Sequence, residues 1–113
     1  MSDNEPLPIA LSLFHAYKHW LHINLEREYT YFQNQCDRVN RMRFEMREME
    51  LNNDDETQIQ LFARRVWREE ANLYNLEQEF EEFRDCILYD IANVDAILYQ
   101  LETNPNGNPN GNT

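Results

Sequence analysis

The segment running from His15 through Ala16, Tyr17, Lys18, His19, Trp20 and Leu21 to His22 holds all three histidines of the chain. His15, His19 and His22 are spaced by four and then three residues, which on a helix puts them on one face. Two imidazoles at i and i+4 can reach one metal ion, and Glu26 continues that face. At a contact between subunits the same three groups would respond to protonation near neutral pH. No Cys-x-x-Cys, His-Glu-x-x-His or Glu-x-x-His completes a familiar metal site. The expectation is therefore a helix surface with no metal and no cofactor. His15, His19 and His22 stay the lesser candidate for ligands.

Other chemistry is equally sparse. All glycines and prolines lie near the ends, and residues 9 to 104 contain neither, so no glycine-rich phosphate loop exists in the body. No nucleophile, base and oxyanion donor fall into a recognisable constellation, so an enzyme is not expected. The net charge is −11, from 21 acidic and 10 basic residues. That balance argues against a general grip on nucleic acid or an anionic membrane. No stretch approaches the ~20 apolar residues that a membrane span needs. The acidic, proline-bearing start does not read as a signal peptide, and the two cysteines make no disulfide framework. An intracellular protein, of cytoplasm or nucleus, is the expectation.

The elements that carry these residues follow from the missing helix breakers. Strand folds need turns, whereas Glu, Leu, Arg, Gln and Met favour helix. The one internal punctuation is Asn52-Asn53-Asp54-Asp55, where Asn and Asp favour turns and N-caps. Before it, positions at alternating steps of three and four run from Leu11 and Phe14 through Lys18, Leu21, Leu25, Glu28, Phe32, Gln35, Val39, Met42 and Met46 to Met49. After it they run from Ile59 and Phe62 through Val66, Glu69, Leu73, Leu76, Phe80, Phe83, Ile87, Asp90, Val94 and Ile97 to Leu101. This is the coiled-coil period, and its phase breaks at the turn.

The fold expected is all-α: an antiparallel two-helix coiled-coil hairpin that dimerises into a four-helix bundle. Its segments are a flexible start over 1–8, a helix over about 9–51, a turn over about 52–55 and a helix over about 56–102. The Asn, Pro and Gly tail over 103–113 buries nothing and is expected to be flexible. If Met49 faces Ile59, facing residue numbers add to 108. Lys18 then lies level with Asp90, and the two are expected to form an ion pair that fixes register. Glu28, Gln35 and Glu69 lack such a partner in that scheme, although Arg38 or Arg65 is within reach of Glu69. The same register keeps Cys36 and Cys86 far apart as free thiols, since facing positions separate them by about 21 Å along the helix.

Two features point to partners. Leu13, Tyr17 and Trp20 form a second apolar stripe on the first helix, and residues 87 to 101 are apolar almost all round. One partner helix cannot cover both, so Leu13, Tyr17, Trp20, Leu88, Ile91 and Leu98 are the expected interface of a homo-oligomer, with a dimer favoured. Near the turn, Arg38, Arg41, Arg43, Arg47, Arg64, Arg65 and Arg68 make a basic band in front of the acidic segment 77–85. Solvated faces with intrahelical pairs account for much of this band, and charge matching to another protein is the sharper reading. The function expected is a non-enzymatic structural or protein–protein interaction module. The alternatives are an acidic decoy of a nucleic-acid-binding protein, or an assembly protein with limited nucleic-acid contact through the arginines.

Overall fold

A computed structural model describes residues 6–103, and the side chains of 9–103. The described chain is two helices, α1 (Pro6–Leu51) and α2 (Glu56–Thr103), packed against each other with no strand among the described residues. Pro6 and Pro8 fall in the first turn of α1, where a backbone N–H has no partner to lose. The helix thus starts inside the segment expected to be flexible. The outer ends of that segment and of the tail, 1–5 and 104–113, lie outside the described residues.

The turn closes without glycine. Asn53 takes the left-handed conformation with φ 55°, which asparagine tolerates better than most residues. The Asp54 amide donates to the Met49 carbonyl at 3.0 Å, and the Asn53 amide donates to Glu50 at 3.3 Å. These two bonds are a Schellman cap, which satisfies carbonyls that the helix end would leave bare. Asp55 precedes α2, and its carbonyl accepts the first helical bond, from Ile59, at 3.0 Å. Glu56 in the first turn adds a favourable charge at the positive end of the helix dipole.

Contacts divide the hairpin into two units. The link unit spans Arg27–Glu82 and the terminal unit joins Met1–Glu26 to Phe83–Thr113. In the link unit Val39, Met42 and Val66 are buried. Phe32 stacks on Phe80 with ring centroids 5.5 Å apart, and Tyr29 tilts against the same ring at 5.9 Å. Val39, Met42, Val66, Phe32 and Phe80 are seam positions that alternating steps of three and four select, whereas Glu28, expected in the same seam, is exposed and Tyr29 beside it makes the contact instead.

In the terminal unit the core is Leu21, Ile87, Ile91, Val94 and Leu98, with Leu11, Phe14, Leu25 and Phe83 packed against it. Here the seam departs from the expected one. Ile91 and Leu98 are 7% and 4% exposed, whereas Ile97, expected inside, is 38% exposed. Two successive steps of four, Phe83 to Ile87 to Ile91, replace the expected four and three. Such an extra step rotates the apolar stripe around the helix. The physical reason lies in the side chains. Strict alternation would carry the Asp90 carboxylate into the core, which costs desolvation, while the rotated seam buries an isoleucine and a leucine.

Candidate functional site

The rotation of the α2 seam decides where the candidate residues fall. Asp90 sits at the edge of the seam, half-buried, and Lys18 does not pair with it. Lys18 Nζ instead meets Asp95 Oδ1 at 2.6 Å. The expected Lys18–Asp90 layer is thus replaced by a flank contact, with Lys18 34% and Asp95 50% exposed. A lysine can reach such a flank by running its aliphatic stem along the seam. Seven residues further on, Glu102 Oε2 lies 3.4 Å from His15 Nε2.

The histidines do not converge. His15 is beside Glu102, and His19 and His22 are exposed. Among the described residues, no group of three His, Cys, Asp or Glu side chains could hold a metal ion.

The expected oligomer residues separate into three places. Ile91 and Leu98 belong to the hairpin's own core, so they are corrected out of any outer surface. Leu13, Tyr17 and Trp20 are exposed on α1, and Leu88 is 47% exposed on α2. Leu88 shares a stripe with Asp95 and Glu102, the residues that meet Lys18 and His15, so it lies on the histidine flank. Tyr17 lies on the opposite flank, where its ring stacks on Trp20 with centroids 6.1 Å apart and 17° between planes. The stack holds Trp20 in place while leaving it 56% exposed.

The arginine band is partly spent within the link unit. Arg38 closes on Glu69 while its Nε donates to Gln35 Oε1 at 3.4 Å. Gln35 and Glu69, two polar residues at seam positions about one turn apart, are thereby bridged by a side chain from the flank. Arg43 Nε donates to Glu70 Oε2 at 2.6 Å, and the Arg65 guanidinium lies 5.7 Å from the Phe62 ring centroid. Arg41, Arg47, Arg64 and Arg68 are exposed. A shallow groove of about 240 Å³ opens over the Gln35, Arg38 and Glu69 cluster, with Tyr31, Asn72 and Leu76 on its walls. Its one cation already faces a carboxylate, so the groove offers a hydrogen-bonding rim of little net charge.

Cys36 and Cys86 are free thiols. Partial burial raises the Cys36 pKa, and the nearby Asp37 and Glu77 carboxylates push it the same way against Arg43. Cys36 is thus a weak nucleophile at neutral pH.

Sequence reasoning sets Ile23 with Leu13 and Trp20 outside the seam, but it missed that Ile9 and Ala16 complete one stripe with them. Together these five residues step by four, three, four and three along α1, and all are exposed. The signal was present in the period itself, read two positions on from the core seam. No described helix is long and apolar enough to cross a membrane. Comparison with family models, with curated proteins and with solved structures finds no match.

Proposed function

We propose that this chain is a non-enzymatic interaction module that self-associates through the apolar surface of its terminal unit and offers the rest of the hairpin to another protein. A dimer, bringing four helices together, is the economical assembly. One observation carries the reading. Leu13 and Trp20 stay 65% and 56% exposed although the neighbouring core is covered. Large apolar groups left contiguous on a small protein mark a contact surface. The experiment is solution mass over a range of concentration for the wild type, for Trp20→Glu and for Phe44→Glu. Phe44 is 60% exposed on the link unit, so it matches Trp20 in exposure and differs in place. Trp20→Glu weakens the assembly and Phe44→Glu leaves it unchanged. A wild type that stays monomeric throughout refutes the proposal.

A second reading has its own support. Arg38 and Arg43 are held by Glu69 and Glu70, while Glu77, Glu79 and Glu82 are exposed. That exposed acidic row favours an acidic decoy that occupies a basic nucleic-acid-binding protein. Salt-dependent binding to a basic protein, set against binding to DNA or RNA, separates the decoy from direct nucleic-acid contact through the arginines.

A further inference from the structure

We infer that the surface of self-association is the outer face of α1, and that it is covered by the same face of a second copy running antiparallel, centred on Ala16. This rests on the self-association reading above and names its geometry.

Three observations on α1 lead there. First, Ile9, Leu13, Ala16, Trp20 and Ile23 repeat the four-three spacing of a coiled-coil seam on the side of α1 turned away from α2. The four large members are 61%, 65%, 56% and 40% exposed. Second, the stripe is complementary to itself in reverse. With Ala16 against Ala16, facing numbers add to 32, so Ile9 faces Ile23 of the second copy, while Leu13 and Trp20, whose numbers add to 33, pack together within one residue of level. The largest side chain meets a medium one, and the smallest lies at the centre, where two backbones approach most closely. A two-fold contact requires this self-complementarity. Third, the charge permits it. From Pro6 to Leu25 α1 carries no acidic residue, in a chain with 21 of them. Two copies of an acidic protein repel one another over most of their surface, and here they do not.

The two flanks of the same unit are poorer. The flank of α2 beyond Tyr17 presents Asp90, Asn93 and Gln100 beside Ile97. The other flank carries the Lys18–Asp95 and His15–Glu102 contacts, which a closed bundle would have to desolvate. The assembly is therefore a layer in which the two α1 helices are central and the two α2 helices lie outside. The stripe offers on the order of 400–500 Å² of apolar side chain per copy, counting Tyr17 at its edge. A standard interface buries about 800 Å² per partner, so this stripe with its polar margin fits a dimer of moderate affinity.

The test uses the full chain with Cys36→Ser and Cys86→Ser, to which Ala16→Cys is added. Ala16 is exposed, so the new thiol leaves the hairpin core intact. Under a mild oxidant such as copper phenanthroline, Ala16→Cys gives mostly disulfide-linked dimer, and Leu88→Cys in the same background gives at least tenfold less. A second variant, Ala16→Glu, raises the dimer dissociation constant at least tenfold with helicity unchanged. If the parent associates but Ala16→Cys does not cross-link, or Leu88→Cys links as well, the α1 pairing is overturned and self-association stands. A parent that is monomeric at every concentration overturns both, and a heterologous partner would then cover the stripe.

Discussion

Leu98→Ala and Ile97→Ala are neighbours in sequence and belong to different environments. Leu98 is 4% exposed within the terminal core, and Ile97 is 38% exposed beside it. Truncating a buried leucine loses transfer free energy and leaves a cavity, a cost of about 2–5 kcal/mol in well-packed cores. A two-helix core is thin and collapses more readily than a large one, so about 2–3 kcal/mol is expected for Leu98→Ala. Ile97→Ala loses only part of a burial worth about 1.5–3 kcal/mol, and alanine returns a few tenths through helix propensity, so its net cost is under about 1 kcal/mol. The assay is urea unfolding followed by helical circular dichroism, at one fixed protein concentration because association adds to apparent stability. With a urea slope of about 1–2 kcal/mol/M, Leu98→Ala lowers the midpoint by about 1–3 M and Ile97→Ala by well under 1 M. If Ile97→Ala costs as much as Leu98→Ala, the seam keeps strict alternation through Asp90 and Ile97, and the rotation at Ile87 is wrong.

Three more outcomes follow from the same geometry. A double-mutant cycle on Lys18→Met and Asp95→Ala shows a coupling of about 0.5–1 kcal/mol, as for a half-exposed pair, and the cycle with Asp90→Ala shows none; the reverse order restores the layer expected from numbering alone. Glu69→Ala destabilises by about 1 kcal/mol, whereas Glu69→Leu combined with Arg38→Met is neutral or stabilising; a double variant worse than the single one contradicts a polar layer replaceable by apolar packing. Iodoacetamide modifies the exposed Cys86 faster than Cys36 at about pH 8, because Cys36 is half-buried and its pKa is raised; equal rates at pH 8 refute the shielding of Cys36.

What could be read in the sequence was what depends on period. The absence of glycine and proline between residues 9 and 104 dictates helices, and the Asn and Asp run marks where they turn. Val39, Met42 and Val66 are buried where the three-four alternation places them. The alternation fails where it meets a choice it does not contain. From Ile87 onward α2 offers two apolar stripes, one through Ile91 and Leu98 and one through Asp90 and Ile97. Counting favoured the second because it continued the rhythm, whereas burial favours the first because it keeps a carboxylate wet. The Lys18–Asp90 match was an arithmetic consequence of that rhythm and went with it. The Gln35, Arg38 and Glu69 cluster was half legible: the two seam residues were conspicuous, but the bridge comes from a flank position that a seam-only reading does not assign. The link between Trp20 and an outer stripe was legible in spacing, while its exposure needed the position of α2 to be known.

Whether the apolar terminal unit brings copies of this chain together is read by sedimentation equilibrium over about 1 to 500 μM, since mass action makes assembly concentration-dependent. The mass rises to that of two chains for the wild type and for Phe44→Glu, with Trp20→Glu held near one chain over the same range. A wild-type mass of one chain at every concentration, or equal association of the Trp20→Glu variant, contradicts self-association through that unit.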